Sequence, residues 1–108
     1  MDTVAKYRQA VREVLMPLTK RRYANADLVN EAVFDVKNDR YIIASHGWQN
    51  GTRRMHGVLV HLDIIGDKVW IQRDGTEEGI AYDLEEAGVP KQNIVLAFHQ
   101  PRDRMVYG

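Results

Sequence analysis

His61 and Asp63 stand two residues apart, so on a β-strand they share a face, a spacing that lets a carboxylate orient an imidazole or begin a metal site. A metal needs more ligands than that. His46, His56 and His99 can reach the pair only through tertiary folding, and simple alternation gives His56 the opposite face to His61. The pair therefore reads first as a structural hydrogen bond, with metal-dependent hydrolysis the less favoured reading. Asp63, Gln72 and Asp74 invite comparison with carboxylate clusters that hold a divalent cation beside a scissile phosphate, but no lysine follows at the spacing those sites use. The segment Arg73 to Gly79 precedes an expected helix, where free amides can bind an anion. It has too few glycines and no following Lys-Ser or Lys-Thr, and Glu77 and Glu78 repel phosphate. Cysteine is absent, so thiol nucleophiles, thiolate metal sites and disulfides are excluded. The expectation is no catalytic residue, no cofactor and no metal.

Three basic clusters can meet phosphate: Lys20-Arg21-Arg22 beside Tyr23, Arg53-Arg54, and Arg102 with Arg104. Each is small. Fifteen Lys and Arg balance fifteen Asp and Glu, so no global field draws the chain to nucleic acid or to an anionic membrane. Contact with DNA would require the fold or a dimer to gather Arg21, Arg22, Arg53, Arg54 and Arg102 onto one side. Near neutrality also removes the repulsion that keeps copies apart, which favours a homodimer. Trp48, Trp70 and the apolar run Ile94 to Phe98 are of the kind that anchor protein interfaces, or else fill a core under helices. Trp70 alternates with Val69 and Ile71, so one of these sets points away from the main core and offers a second face for an interface.

The frame for these residues follows from periodicity. Of the 108 residues, 44% are apolar and 28% charged, the balance of an ordinary globular chain of one domain, 1–108. Val4, Tyr7, Val11, Val14, Leu15 and Leu18 recur at three- and four-residue spacing, which predicts an amphipathic helix closed by Pro17. Alternation from Leu28 to Val36, a turn at Lys37-Asn38-Asp39, and a second apolar stretch from Tyr41 to Ala44 predict a hairpin. Asn50-Gly51 predicts the next tight turn, and Gly66-Asp67 the one after it. Between them, His56, Val58, Val60, Leu62 and Ile64 fall on one face, the expected core face, with Met55, Gly57, Leu59, His61 and Asp63 on the other. Val69 to Gln72 completes a four-strand meander. A helix of about three turns is expected to start at Thr76, with Glu77 and Glu78 in its first turn and Pro90 barring continuation. Ile94 to Phe98 then makes a last strand buried on both sides. The predicted fold is α+β, α-β-β-β-β-α-β in order, two-layered and mainly antiparallel. The N-terminus lacks a basic stretch followed by an apolar run, and nothing approaches 18 uninterrupted apolar residues, so the expectation is a cytoplasmic protein with no membrane contact.

The stretch KVWIQRDGTEEGIA from Lys68 to Ala81, then AGVP at Ala87 to Pro90 and IVLAFHQP at Ile94 to Pro101, resembles the XisI family of excision controlling factors. The likeness continues upstream through Tyr7-Arg8, Phe34-Asp35, Asp39-Arg40-Tyr41, Gly47-Trp48, Gly57 and His61-Leu62-Asp63. It implies an XisI-like fold and a cyanobacterial accessory protein, acting with a XisH-type partner and a site-specific recombinase when the fdxN DNA element is excised. XisH-type proteins resemble nucleases in fold, whereas the XisI family supplies no catalytic residues to carry over. The resemblance and the apolar second face together make a non-enzymatic regulator the leading expectation, with Trp70, Arg73 and Arg104 as partner contacts. The alternative is a DNA-binding excision factor using its arginines.

Overall fold

The computed structural model describes residues 3–23 and 26–100. Helix α1, Thr3–Leu15, buries Tyr7, Ala10, Val11 and Leu15, the stripe that three- and four-residue spacing lays along one side. Pro17 cannot donate to a continuing helix, and a 3₁₀ segment, Met16–Lys20, begins around it and buries Leu18. Four antiparallel strands follow in sequence order: β1, Ala26–Asp35; β2, Arg40–Gln49; β3, Arg53–Ile65; and β4, Lys68–Asp74. The β2–β3 turn has Asn50 and Gly51 both at positive φ, 54° and 73°, and is closed by the Thr52 N–H donating to the Gln49 carbonyl at 3.2 Å. Helix α2 spans Ala81–Glu86, and β5, Ile94–Leu96, pairs in parallel with β4 to close a five-stranded sheet in the order β1-β2-β3-β4-β5.

Both helices lie against one face of the sheet. Tyr7, Val11 and Leu15 of α1 and Leu84 of α2 share a single buried cluster with Tyr41, Ile43, Val60, Leu62, Val69, Ile71 and Ile94. At the β1 side, Asn30 fastens the 3₁₀ segment: it is buried, and its Nδ2 donates to the Leu18 carbonyl at 2.8 Å and to the Tyr23 hydroxyl at 2.9 Å. The α+β architecture is the one the sequence predicts.

Three expectations are corrected. Register is continuous until Ile43 pairs with Val60 and the next β2 residue, Ala44, pairs with Val58, which leaves Leu59 as an extra residue in β3. A single inserted residue reverses the side-chain parity beyond it. Val60, Leu62 and Ile64 are core residues as expected, but His56 and Val58 turn to the opposite face and are exposed. The second correction concerns α2, which starts at Ala81 and not at Thr76, because the Asp74 carboxylate takes up the amides that an earlier helix start would have left for capping. It accepts from the backbone N–H of Thr76 and of Ile80, both at 2.9 Å, and from the Thr76 hydroxyl, so residues 74–80 form a loop around one side chain. The helix is accordingly a turn and a half, with Ile80 and Leu84 buried as its apolar edge. The last strand is also shorter than the apolar run: Ile94 and Val95 are buried, and Phe98 is half exposed.

Candidate functional site

Because both helices use one side of the sheet, the other side presents side chains that no described element covers. Cross-strand partners share a face, so register assigns its members. Val29, Glu31 and Val33 of β1 lie there opposite His46, Ala44 and Ile42 of β2, and Asp27 lies opposite Trp48. Arg54, His56 and Val58 of β3 continue the row beyond Trp48, His46 and Ala44. Asp63 faces Trp70, and Trp70 in turn faces the buried Val95. Val29, Val33, Trp48, Val58 and Ile65 are exposed, with Trp48 46% and Val33 54% accessible, so this face offers apolar surface of the kind that marks contact sites.

Polar groups on the same face are paired among themselves. The guanidinium of Arg54 lies 5.5 Å from the centre of the Trp48 ring, a cation–π stack that holds the indole flat. His46 Nε2 is 2.7 Å from Glu31 Oε1, and the His46 and His56 rings are 6.4 Å apart. His61 Nε2 meets Asp63 Oδ1 at 2.9 Å, and Gln72 Nε2 donates to Asp63 Oδ2 at 3.2 Å. The bulge at Leu59 brings His56 to the same face as His61, reversing the parity that plain alternation assigns. Among the described residues, no group of three or more His, Asp or Glu is placed to hold a metal ion.

The predicted contacts are dispersed. Trp70 is half-buried on the open face, between Asp63 of β3 and Val95 of β5. Arg73 sits just past a second bulge, at Gln72, and its Nε donates to the Val58 carbonyl at 2.6 Å; it does not pair with Asp74, whose carboxylate is occupied by the loop. Arg21 lies 4.0 Å from Glu78, and Arg54 is stacked on Trp48. Arg22 and Arg53 are exposed, and Arg102 and Arg104 lie outside the described residues.

Periodicity gave no sign of a third cluster. Arg8 grips Asp39 with two hydrogen bonds, Nε to Oδ1 at 2.8 Å and Nη2 to Oδ2 at 3.1 Å, and the Tyr41 hydroxyl donates to the same carboxylate at 2.8 Å. The two ends are 31 residues apart, and the only hint was that Tyr7-Arg8 and Asp39-Arg40-Tyr41 both belong to the family-like residues. The Arg8 hydrogen bonds hold Asp39 below the usual carboxylate range. Burial, and then the adjacent carboxylate, push the Tyr41 phenol up to about 12. A raised phenol pKa means the folded chain keeps a proton that the unfolded chain has lost, so stability is intact below about pH 10 and falls as pH rises toward 12. Urea unfolding at pH 9 and pH 11.5 should differ by up to about 2 kcal/mol from this residue, and Tyr41→Phe should remove that part of the slope. Asp39 acts at the other limit: its contribution is present above the ordinary carboxylate range and is lost as pH falls through its lowered pKa.

The whole chain, residues 1–108, matches the family model described as XisI protein. The chain belongs to the XisI family. Two solved structures from Anabaena variabilis ATCC 29413 are similar to this XisI-family chain. One is a XisI-like protein, 26% identical, with a TM-score of 0.82 over 99% of this chain and 98% of the other. The second, an fdxN element excision controlling factor XisI, is 27% identical, with a TM-score of 0.76 over 95% of this chain and 93% of that one. No curated protein matches the chain. The resemblance read in Lys68 to Pro101 is thus borne out over the full length, and the XisI-like fold with it. Among the described residues, no helix is long and apolar enough to cross a membrane.

Proposed function

We propose that this XisI-family chain is a non-catalytic controlling factor for excision of an fdxN-type DNA element, and that it acts by binding a XisH-type, nuclease-like partner through the open face of its sheet. The observation that carries the reading is that face itself: Val33, Trp48, Val58 and Ile65 are exposed and Trp70 is half-buried on the side away from both helices. Aromatic side chains dominate the energetics of such contacts, and Trp48 arrives already oriented by Arg54. Trp70, Arg73 and Arg104 are its partner contacts, and a recombinase and DNA are reached through the partner.

Co-purification with the cognate XisH-type protein tests this. Wild-type chain should retain the partner through size exclusion. Trp48→Ser combined with Val33→Ser, both at exposed positions, should reduce the retained partner about tenfold or more while leaving the chain folded. Absence of a complex with the wild-type chain overturns the reading. A salt-dependent mobility shift with element-end DNA alone would replace it by direct binding through the arginines.

A further inference from the structure

The helix-facing side of the sheet is longer than the helices that cover it. Along β2 the buried residues Tyr41 and Ile43 are followed at the same parity by Ser45 and Gly47, and their β3 partners are Gly57 and Met55. Small residues at 45 and 57 leave a hollow where a layer of side chains would otherwise continue. Leu28, Met55, Leu59 and Tyr23 wall it, Gly57 forms part of its lining, and Arg73 stands at its edge, enclosing a volume of about 300 Å³.

Both bulges contribute to its shape. The extra residue Leu59 is fixed from behind, its carbonyl accepting from the Gly75 N–H at 2.8 Å, and the irregularity at Gln72 sets Arg73 opposite His61. Arg73 Nε is committed to the Val58 carbonyl, which pins the guanidinium, while its two terminal nitrogens have no partner among the described residues. Bulges re-aim side chains next to sites, and a largely apolar hollow with one convergent charge is the form taken by pockets for small organic molecules.

We propose that this hollow binds a small amphipathic anion: an apolar or aromatic body seated against Leu28, Met55 and Leu59, with a carboxylate, sulfonate or phosphate held by the terminal nitrogens of Arg73. A planar guanidinium with two adjacent free N–H groups suits an oxyanion, and no acidic side chain lines the hollow to compete with it. The hollow opens beside the face proposed for the partner, sharing His56, Val58 and Arg73 with its margin, but binding of a small anion there does not depend on that reading.

Two fluorescent probes that share an aromatic body and differ in charge test the proposal: 8-anilinonaphthalene-1-sulfonate and the neutral N-phenyl-1-naphthylamine. The full chain should bind the sulfonate saturably at one site. A side chain at residue 57 meets open space, so Gly57→Phe should keep the far-ultraviolet spectrum and melting temperature of the wild type while abolishing binding of both probes. Arg73→Gln should weaken the sulfonate about tenfold or more, the worth of a charge-assisted pair, and leave the neutral probe unchanged. Trp48→Ser, on the other face, should affect neither. Sulfonate binding that survives Gly57→Phe overturns the location. Equal weakening of both probes by Arg73→Gln overturns the anion site, because it makes Arg73 a structural residue only.

Discussion

Gly47→Ala should unfold or nearly unfold this protein, at a cost of about 4 kcal/mol or more, read as a collapse of the urea midpoint. Gly47 has φ 147°, and a Cβ built there would lie 1.8 Å from the carbonyl oxygen of Asp27 in the neighbouring strand. That neighbour is backbone, so it has no rotamer in which to yield. Relief requires β1 to move away from β2 across the pairs Asp27 with Trp48 and Leu28 with Gly47, which would undo the start of a ten-residue ladder. Gly57→Ala is the matched control. It also sits in a strand and in the family-like set, but nothing lies within 4 Å of its added carbon, and a change of no more than about 0.5 kcal/mol is expected. Equal effects at the two positions would mean that strand propensity, and not the close approach at Asp27, governs both.

Asp74→Ala should cost about 3 kcal/mol, since three donors converge on one carboxylate and hydrogen bonds to charged acceptors are each worth more than neutral ones. The loss reaches beyond residues 74–80, because the loop delivers Ile80 and Leu84 to the core and sets where α2 leads into β5. Amide exchange should therefore quicken at Ile94 to Leu96 as well as in the loop, while the β1–β2 ladder keeps its protection. Asp74→Asn retains one carbonyl acceptor and should recover roughly half of the stability. Uniform loss of protection across the sheet would show that the loop is not a separable unit.

Legibility in the sequence followed the range of the interactions. Asn50-Gly51 and Pro17 act on their neighbours alone, and they mark the hairpin and the end of α1 where the structure has them. Alternation placed Val60, Leu62 and Ile64 in the core for the same reason. It failed at His56 and Val58 because a bulge at Leu59 is a decision made between strands, and the residue type of a leucine carries no trace of it. The start of α2 was misread because Thr76 looks like a cap in its own context, whereas its amide and hydroxyl are drawn back to Asp74. The open face was visible only in outline, through the opposed parity of Trp70 with Val69 and Ile71. Its other members, Trp48 stacked by Arg54 and the row from Val29 to Val33, needed the strand register. The bidentate hold of Arg8 on Asp39 joins segments that no period relates.

The outer edge of β1 has a bearing on how the molecule survives at high concentration. No described strand pairs with it, and ten residues free of proline and glycine would ordinarily template a fibril. Its open-face side chains are Asp27, Val29, Glu31, Val33 and Asp35, with no cation among them. A second copy laid antiparallel along this edge, open faces continuous, meets every carboxylate with another carboxylate or with valine, and in the register centred on Glu31 all three acids face acids. Like-for-like stacking is thereby repelled at neutral pH in a chain whose formal net charge of zero gives no general protection. High ionic strength screens that guard, and turbidity should rise with added salt before the fold is lost.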